Sequence, residues 1–430
     1  MAEPDSILAH PAVLKTDDKS RKGGSRSSIP VQIDSSSGSG PTAIIAAPKI
    51  AIHESFCMTK LLHTADWQIG RLYGTFDPDD AVPLAEARFA AVERLAQLAT
   101  DEKADAVLVS GDVFDAQTVS ARTIRRLFNV MSGYAGPWVM IPGNHDAALS
   151  ESVWSHAQRL GPLPTNLHLA LEPQVIELAE QRVALLCAPL TQRHTYEDLT
   201  QWFDRCETPA GWLRIGLAHG CVQGILAEDI DSANPIAAHR AASARLDYLA
   251  LGDWHGTKCI TARTWYSGTP EPDRFKGNDS GQVLLVEIDG CGALPRVVPH
   301  RTARHRWRQL THRLEVASDL TGLIAALAQA QAGDVLELTV TGQVDLDGPG
   351  QLKVALDTAE ARMRCLRRDL SNLLLTPTAE DIATLKADGY LGEVIAELRD
   401  VTGENSQCAQ DALGILTGLL SDRNANKATA

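Results

Sequence analysis

The chain has 430 residues, 44% hydrophobic and 22% charged, with a formal net charge of −14. That is enough apolar chain for two or three domains with real cores, and no apolar run is long enough to span a membrane. The acidic balance excludes a uniformly basic nucleic-acid coat, so any nucleic-acid contact must come from local patches or metal ions.

Residues 1–57 do not read as part of a fold. Ser20 to Pro41 is rich in Ser and Gly with mixed charges and no apolar period, and the short apolar run Ala43–Ile52 is broken by Pro48 and Lys49. The segment is expected to be a disordered leader, either an over-long start with Met58 as the working one or a tethering arm. The eight cysteines, Cys57, Cys187, Cys206, Cys221, Cys259, Cys291, Cys365 and Cys408, are scattered without a Cys-x-x-Cys pair. Reduced thiols in a cytoplasmic protein fit that pattern better than a disulfide framework or a zinc ribbon.

From Met58 strands and helices alternate. Lys60–Thr64 is a strand that ends at Ala65-Asp66-Trp67-Gln68-Ile69-Gly70, and Phe89, Val92, Leu95, Ala96 and Ala99 follow at helical spacing. Ala106–Val109 runs into Ser110-Gly111-Asp112-Val113-Phe114-Asp115, and Ile124, Leu127, Phe128 and Met131 mark a second helix. Trp138–Ile141 breaks at Pro142-Gly143 to present Asn144-His145-Asp146. Leu213–Ala218 ends at His219-Gly220, and Tyr248–Leu251 ends at Gly252-Asp253-Trp254-His255.

Ligand sites in open α/β sheets collect at the carboxyl ends of strands. A Gly-Asn-His-Asp turn alone is compatible with an ordinary loop. Five such strand ends together supply Asp66, Gln68, Asp112, Asn144, His219, Asp253 and His255. This mixed oxygen and nitrogen set without cysteine suits Mn²⁺, Fe²⁺ or Mg²⁺ better than a structural zinc, and it is large enough for two ions sharing a carboxylate. His53, His156, His168, His194 and His239 have no such context and are read as structural.

The ordered motifs Asp66-x-Gln68, Gly111-Asp112-x-x-Asp115, Gly143-Asn144-His145-Asp146, Ala218-His219-Gly220 and Gly252-Asp253-x-His255 resemble the calcineurin-like metallophosphoesterases. Within that superfamily His63–Trp67, Gly111–Asp115, Tyr266–Pro272 and the strand Gly281–Ile288 resemble the SbcD-type DNA repair nucleases. The resemblance covers Met58 to Val298 well and the remainder loosely. It implies a four-layer α/β/β/α sandwich with a small C-terminal α+β cap, and a site for two divalent ions. One ion would take Asp66, Gln68, Asp112 and His255; the other would take Asp112, Asn144, His219 and Asp253. His145 would act on the phosphate or the leaving oxygen, oriented by Asp146.

The family usually has His at the positions of Gln68 and Asp253. Three carboxylates in place of two favour Mn²⁺, with Mg²⁺ or Fe²⁺ as alternatives, and suggest an alkaline-shifted optimum and a loosely held ion beside Gln68. Asp115 is either part of the site or a structural carboxylate. Arg71 is either a phosphate contact or an exposed arginine. The resemblance further implies a DNA repair nuclease working with an SMC-type, SbcC-like ATPase, with a homodimer open. The alternatives are a phosphoesterase on small-molecule or cyclic phosphodiesters, and a weakly catalytic scaffold that binds DNA ends.

Past the phosphoesterase region (58–300) comes the basic run Arg301–Arg308. Arg304, Arg306 and Arg308 could hold backbone phosphates, with Trp307 stacking on a base or packing, or the run is a solvated hinge strand. The helix marked by Leu320, Leu323, Ile324 and Leu327, the strand around Leu336–Val340, and a second helix before the basic run Arg362–Arg368 read as a cap over 301–385. The tail, 386–430, holds a helix with Leu391, Val394, Ile395 and Leu398 in one stripe and another with Leu413, Leu416 and Leu420. Either these stripes complete the cap core or they form a partner surface.

Overall fold

Continuous apolar runs make strands buried on both faces, and such strands fit only inside a layered sheet. The computed structural model describes residues 58–225, 233–384 and 389–428, so the leader expected over 1–57 lies outside the described residues. In chain order β1 (Thr59–Thr64), α1 (Pro78–Asp101), β2 (Ala106–Ser110), α2 (Ala121–Met131), β3 (Trp138–Ile141), α3 (Val153–Arg159) and β4 (Leu167–Leu169) form the first half. Then come β5 (Gln174–Leu178), β6 (Val183–Ala188), β7 (Leu213–His219), β8 (Cys221–Val222), β9 (Pro235–Ile236), α4 (Arg240–Ser243), β10 (Tyr248–Gly252), β11 (Lys258–Thr261) and β12 (Thr264–Tyr266). β13 (Gln282–Ile288) and β14 (Arg296–Arg301) return to the first sheet.

That sheet runs β14-β13-β1-β2-β3-β4, with β1 to β4 parallel and β13 antiparallel to both neighbours. The second runs β11-β12-β10-β7-β6-β5, parallel from β12 to β6 and closed at each end by an antiparallel strand. Successive side chains of a strand point to opposite faces. Leu62, Val107 and Met140 accordingly meet Val92, Leu95 and Leu127 of the helices, whereas Leu61, Leu108 and Ile141 meet Leu185, Ile215 and Val286 between the sheets. Leu186, Leu249 and Leu251 pack outward on Phe203, Ala241 and Leu246. The result is the four-layer sandwich, with a thin outer layer beside the second sheet.

α1 begins earlier than its apolar stripe suggests. Pro78, whose missing N–H costs nothing in a first turn, starts it, with Asp79 and Asp80 at its positive end.

His63 ties the sheets together. It lies on β1 in the first sheet, yet its Nδ1 is 2.9 Å from the Tyr248 hydroxyl and its Nε2 3.2 Å from the Leu251 carbonyl, both on β10. Burial pushes its pKa down to about 3. An imidazole neutral in the fold but protonated in the unfolded chain stabilises fully above about pH 6.5, and that contribution is lost as pH falls toward 3. The slope from this group is about 1.4 kcal/mol per pH unit. His63→Gln should therefore show a flatter fall in melting temperature between pH 6.5 and 4.5 than wild type; equal slopes would remove His63 from the acid response.

The cap is β15 (Arg306–Leu314), α5 (Ala317–Ala328), β16 (Asp334–Val344), α6 (Gly348–Glu360) and β17 (Cys365–Leu375), two successive βαβ units giving a parallel three-stranded sheet. Leu320, Leu323 and Leu327 pack with Leu338, Val340, Leu352 and Leu356, as the apolar spacing requires. The remaining helices are α7 (Ala379–Thr384), α8 (Tyr390–Asp400) and α9 (Ser406–Ala428). Ile395 is buried with Val394 and Leu398 half-buried beside it, so at its centre that stripe is core. No disulfide forms among the described residues.

Candidate active site

The expected strand ends converge because β1, β2 and β3 are parallel in one sheet and β7 and β10 are parallel in the other, and all five finish at the same edge. The loops are then laced to one another. The Asp66 N–H donates to the Gly111 carbonyl at 3.0 Å, the Gln68 N–H to the Asp112 carbonyl at 2.9 Å, and the Gly220 N–H to the Gly252 carbonyl at 3.2 Å. Asp66, Gln68, Asp112 and Asp253 all have positive φ, at 55°, 44°, 53° and 100°. Four non-glycine residues in that region within one site are strain held by the surrounding structure. Gly111, at φ 90°, lies where an added Cβ would come 2.9 Å from the Gly143 Cα and overlap the His219 ring, so close approach of three loops requires glycine there.

Around His219 the donor chemistry fits a cation. Its Nδ1 donates to the Ser110 carbonyl at 2.8 Å, which turns the Nε2 lone pair into the site. That nitrogen meets the Asn144 Oδ1 at 3.1 Å, Asp112 at 3.6 Å and Asp253 at 3.7 Å. Ligand atoms of Asp66, Asp112 and His219 all lie within 4.8 Å of one another. Acceptors so placed need a proton or a cation between them. Burial alone would lower His219, but Asp112, Asp66 and Asp253 carry it up to about 9. Burial pushes the Asp66 carboxyl up to about 6, against the pull of His255 and His219, and also raises Asp253.

Around His255 the arrangement differs. The Gln68 Oε1 accepts from the Arg71 guanidinium at 2.7 Å. Its Nε2 therefore faces the site, 3.2 Å from His255 Nε2 and 3.5 Å from Asp112 Oδ2. Arg274 lies 3.0 Å from His255 Nδ1 and 3.4 Å from its Nε2. Asp273 accepts from His255 Nδ1 at 3.1 Å and from Arg274 at 2.9 Å. Burial would raise that carboxyl, but His255 and Arg274 outweigh it and hold it below the ordinary range.

Arg71 is thus half-buried and bound rather than free on the surface; it also bonds Asp115 at 3.1 Å, which gives Asp115 a structural part. Sequence reasoning missed Asp273, Arg274 and Arg88. Asp273 and Arg274 close the loop after Thr269-Pro270-Glu271-Pro272, where a charged pair was the available signal. Arg88, fully buried in α1, donates to the carbonyls of Trp67 at 2.8 Å, Gln68 at 3.3 Å and Glu271 at 3.0 Å, clamping the first loop from behind.

His145 stands at the mouth, its side chain 41% exposed and its Nε2 4.0 Å from Asp112. Asp146 does not orient it, contrary to expectation. The His145 Nδ1 bonds the Asp115 backbone carbonyl at 2.8 Å, while Asp146 accepts from the Gly143 N–H at 2.7 Å and the Phe114 N–H at 3.1 Å. Asp146 is a buried brace for two loops, with its carboxyl pushed up to about 7 by burial and then by Asp112. Adjacent residues in a tight turn point apart, so sequence proximity did not carry over into contact.

In the cap, Trp307 packs on Phe275 at 4.8 Å and Phe76 at 5.5 Å, the packing alternative of its two. Arg306 binds Asp334 at 2.8 and 3.0 Å, with Arg308 3.6 Å from the same carboxylate, and Arg304, Arg306 and Arg308 are all exposed.

Residues 59–220 match the family model described as calcineurin-like phosphoesterase. The chain is 28% identical over 287 residues to the SbcD component of the nuclease SbcCD of Rhodobacter capsulatus, covering 56% of this chain and 69% of that one. It is 23% identical over 248 residues to the DNA double-strand break repair protein Mre11 of Methanosarcina acetivorans, covering 54% of this chain and 37% of that one. A crystal structure of TT1561 of Thermus thermophilus overlaps 57% of this chain and all of its own at 13% identity and a TM-score of 0.35, too low a likeness to carry weight.

Proposed function

We propose that this chain, which carries a calcineurin-like phosphoesterase domain, is a metal-dependent nuclease acting on DNA in repair. The observation that carries the reading is the cluster of lone-pair donors around His219, gathered from both sheets and bordered by His145. The names of the two relatives support DNA over a small phosphodiester as substrate. Asp112, Asn144, His219 and Asp253 would hold a divalent ion, which would supply Lewis-acid charge to a phosphate oxygen and lower the pKa of a water nucleophile.

The protein's own groups do the rest. Ser110 fixes the His219 tautomer through Nδ1. The Asp112 carboxylate holds the Asn144-His145 turn by accepting the His145 N–H at 2.9 Å. The Asp115 carbonyl holds His145 Nδ1, which leaves Nε2 to contact the phosphate or pass a proton to the departing sugar oxygen. His145→Ala should lower turnover about a hundredfold, with bound metal unchanged; near-normal turnover would remove His145 from the mechanism.

Partners follow from the same reading. The first relative is by name one component of a nuclease, and we assign this chain an SMC-type ATPase partner, with Ile415 and Leu419, exposed and four residues apart on α9, as its apolar contact. Of Arg304, Arg306 and Arg308, all exposed, Arg306 and Arg308 are drawn to Asp334, and we assign Arg304 to a backbone phosphate. Manganese as the working ion is part of the proposal. The test of substrate class is purified protein with Mn²⁺ on labelled single- and double-stranded DNA beside a cyclic nucleotide and a generic phosphodiester. DNA should be cut with the far higher kcat/KM; a preference for the small substrates would favour the phosphoesterase alternative.

A further inference from the structure

Two positions border Asp112, and they are built differently. Around His219, imidazole and oxygen lone pairs face one another, with the Nδ1 proton committed elsewhere. Around His255, a hydrogen-bond donor already stands between the groups that would ligate an ion. The Gln68 carboxamide NH₂ spans His255 Nε2 at 3.2 Å and Asp112 Oδ2 at 3.5 Å. An NH₂ cannot ligate a cation, and turning the carboxamide over would set that NH₂ against the Arg71 guanidinium, which now donates to Oε1 at 2.7 Å. Arg71 is itself pinned by Asp115 at 3.1 Å and Asp273 at 3.5 Å. Arg274 adds a second guanidinium 3.4 Å from His255 Nε2, the atom an ion would need.

We propose that the centre holds one divalent ion, on the His219 side, and that Gln68, locked by Arg71, fills the position of a second with its carboxamide while Arg71 and Arg274 supply the positive charge there. The inference rests on the reading of this site as a metal centre and deepens it. It replaces the loosely held ion suggested by ligand types alone with none, because the oxygen that would hold it is turned away. Five carboxylates, Asp66, Asp112, Asp115, Asp253 and Asp273, surround these groups, and two guanidinium groups with one divalent ion leave them nearly neutralised.

The test is metal content. Chelator-stripped wild type, reloaded with excess Mn²⁺ and desalted, should retain one ion per chain, with a single tight class by calorimetric titration. Gln68→His, which puts an imidazole lone pair where the NH₂ stood, should retain two, as should Arg71→Met to a weaker degree by freeing the carboxamide to turn. Two tight ions in wild type overturn the proposal, and one ion in a folded Gln68→His protein overturns the part given to Gln68. If Gln68→His fails to fold by circular dichroism, the wild-type stoichiometry with Arg71→Met decides. DNA cleavage is no part of the readout, so a protein that binds one ion and cuts no DNA would defeat the functional proposal and leave this one standing.

Discussion

Asp112→Asn should abolish bound metal and lower DNA cleavage about a thousandfold or more, the scale on which a lost Lewis acid acts. Asp112 is the hinge of the site. One oxygen accepts the His145 N–H at 2.9 Å and lies 3.6 Å from His219, and the other lies 3.5 Å from Gln68. Asn keeps the shape but removes a buried charge and places an NH₂ against donors. Removing Asp112 relieves its repulsion with the neighbouring carboxylates but also removes its attraction to His219 and its acceptors for His145 and Gln68, so the metal-free protein should melt at a somewhat lower temperature while still unfolding cooperatively. Metal content, cleavage rate and melting curve together separate this from unfolding. A variant that keeps its metal and a tenth of its activity would place the ion elsewhere.

Gly111→Ala should cost about 3–5 kcal/mol and the metal site with it, the range of overpacking combined with backbone strain. The residue sits at φ 90°, and its added Cβ would lie 2.7 Å from the His219 Cγ and 2.9 Å from the Gly143 Cα. The ring cannot retreat while its Nδ1 is bonded to the neighbouring Ser110 carbonyl. Gly161→Ala is the control. That glycine also has positive φ, 137°, but an added Cβ would meet nothing within 4 Å, so only the backbone strain remains, about 1 kcal/mol. Denaturant unfolding of both variants decides; equal losses would show that the approach of the three loops is not what requires Gly111.

Much of the fold was legible. Val107 to Val109, Trp138 to Ile141 and Leu249 to Leu251 are short apolar runs ending in polar loops, and parallel strands must bring such ends to one edge. Asp66, Asp112, Asn144, His219, Asp253 and His255 meet for that reason. What one residue does inside the site was less legible. Asp146 follows His145 in sequence yet serves two backbone N–H groups on its own side of the turn. Gln68 carries a ligand oxygen by type, but which end of a carboxamide faces the site depends on Arg71. Arg88 interrupts an apolar helix face, and the carbonyls of Trp67, Gln68 and Glu271 with the hydroxyls of Tyr73 and Thr269 explain its burial. The strands Leu167–Leu169 and Gln174–Leu178 were not legible because the first is short and half-buried and the second does not alternate cleanly. Trp307 lay within a basic run, and its partners Phe76 and Phe275 come from two other segments of the chain.

The most direct test of the central claim is cleavage of end-labelled DNA by chelator-stripped wild type before and after Mn²⁺ is restored, with Asp112→Asn purified in parallel. Cleavage should be absent from the stripped protein, return with Mn²⁺ in wild type, and stay absent in Asp112→Asn. Cleavage that survives stripping, or that returns equally in both proteins, would contradict a metal-dependent nuclease built on this site, as would a reloaded wild type that leaves DNA intact.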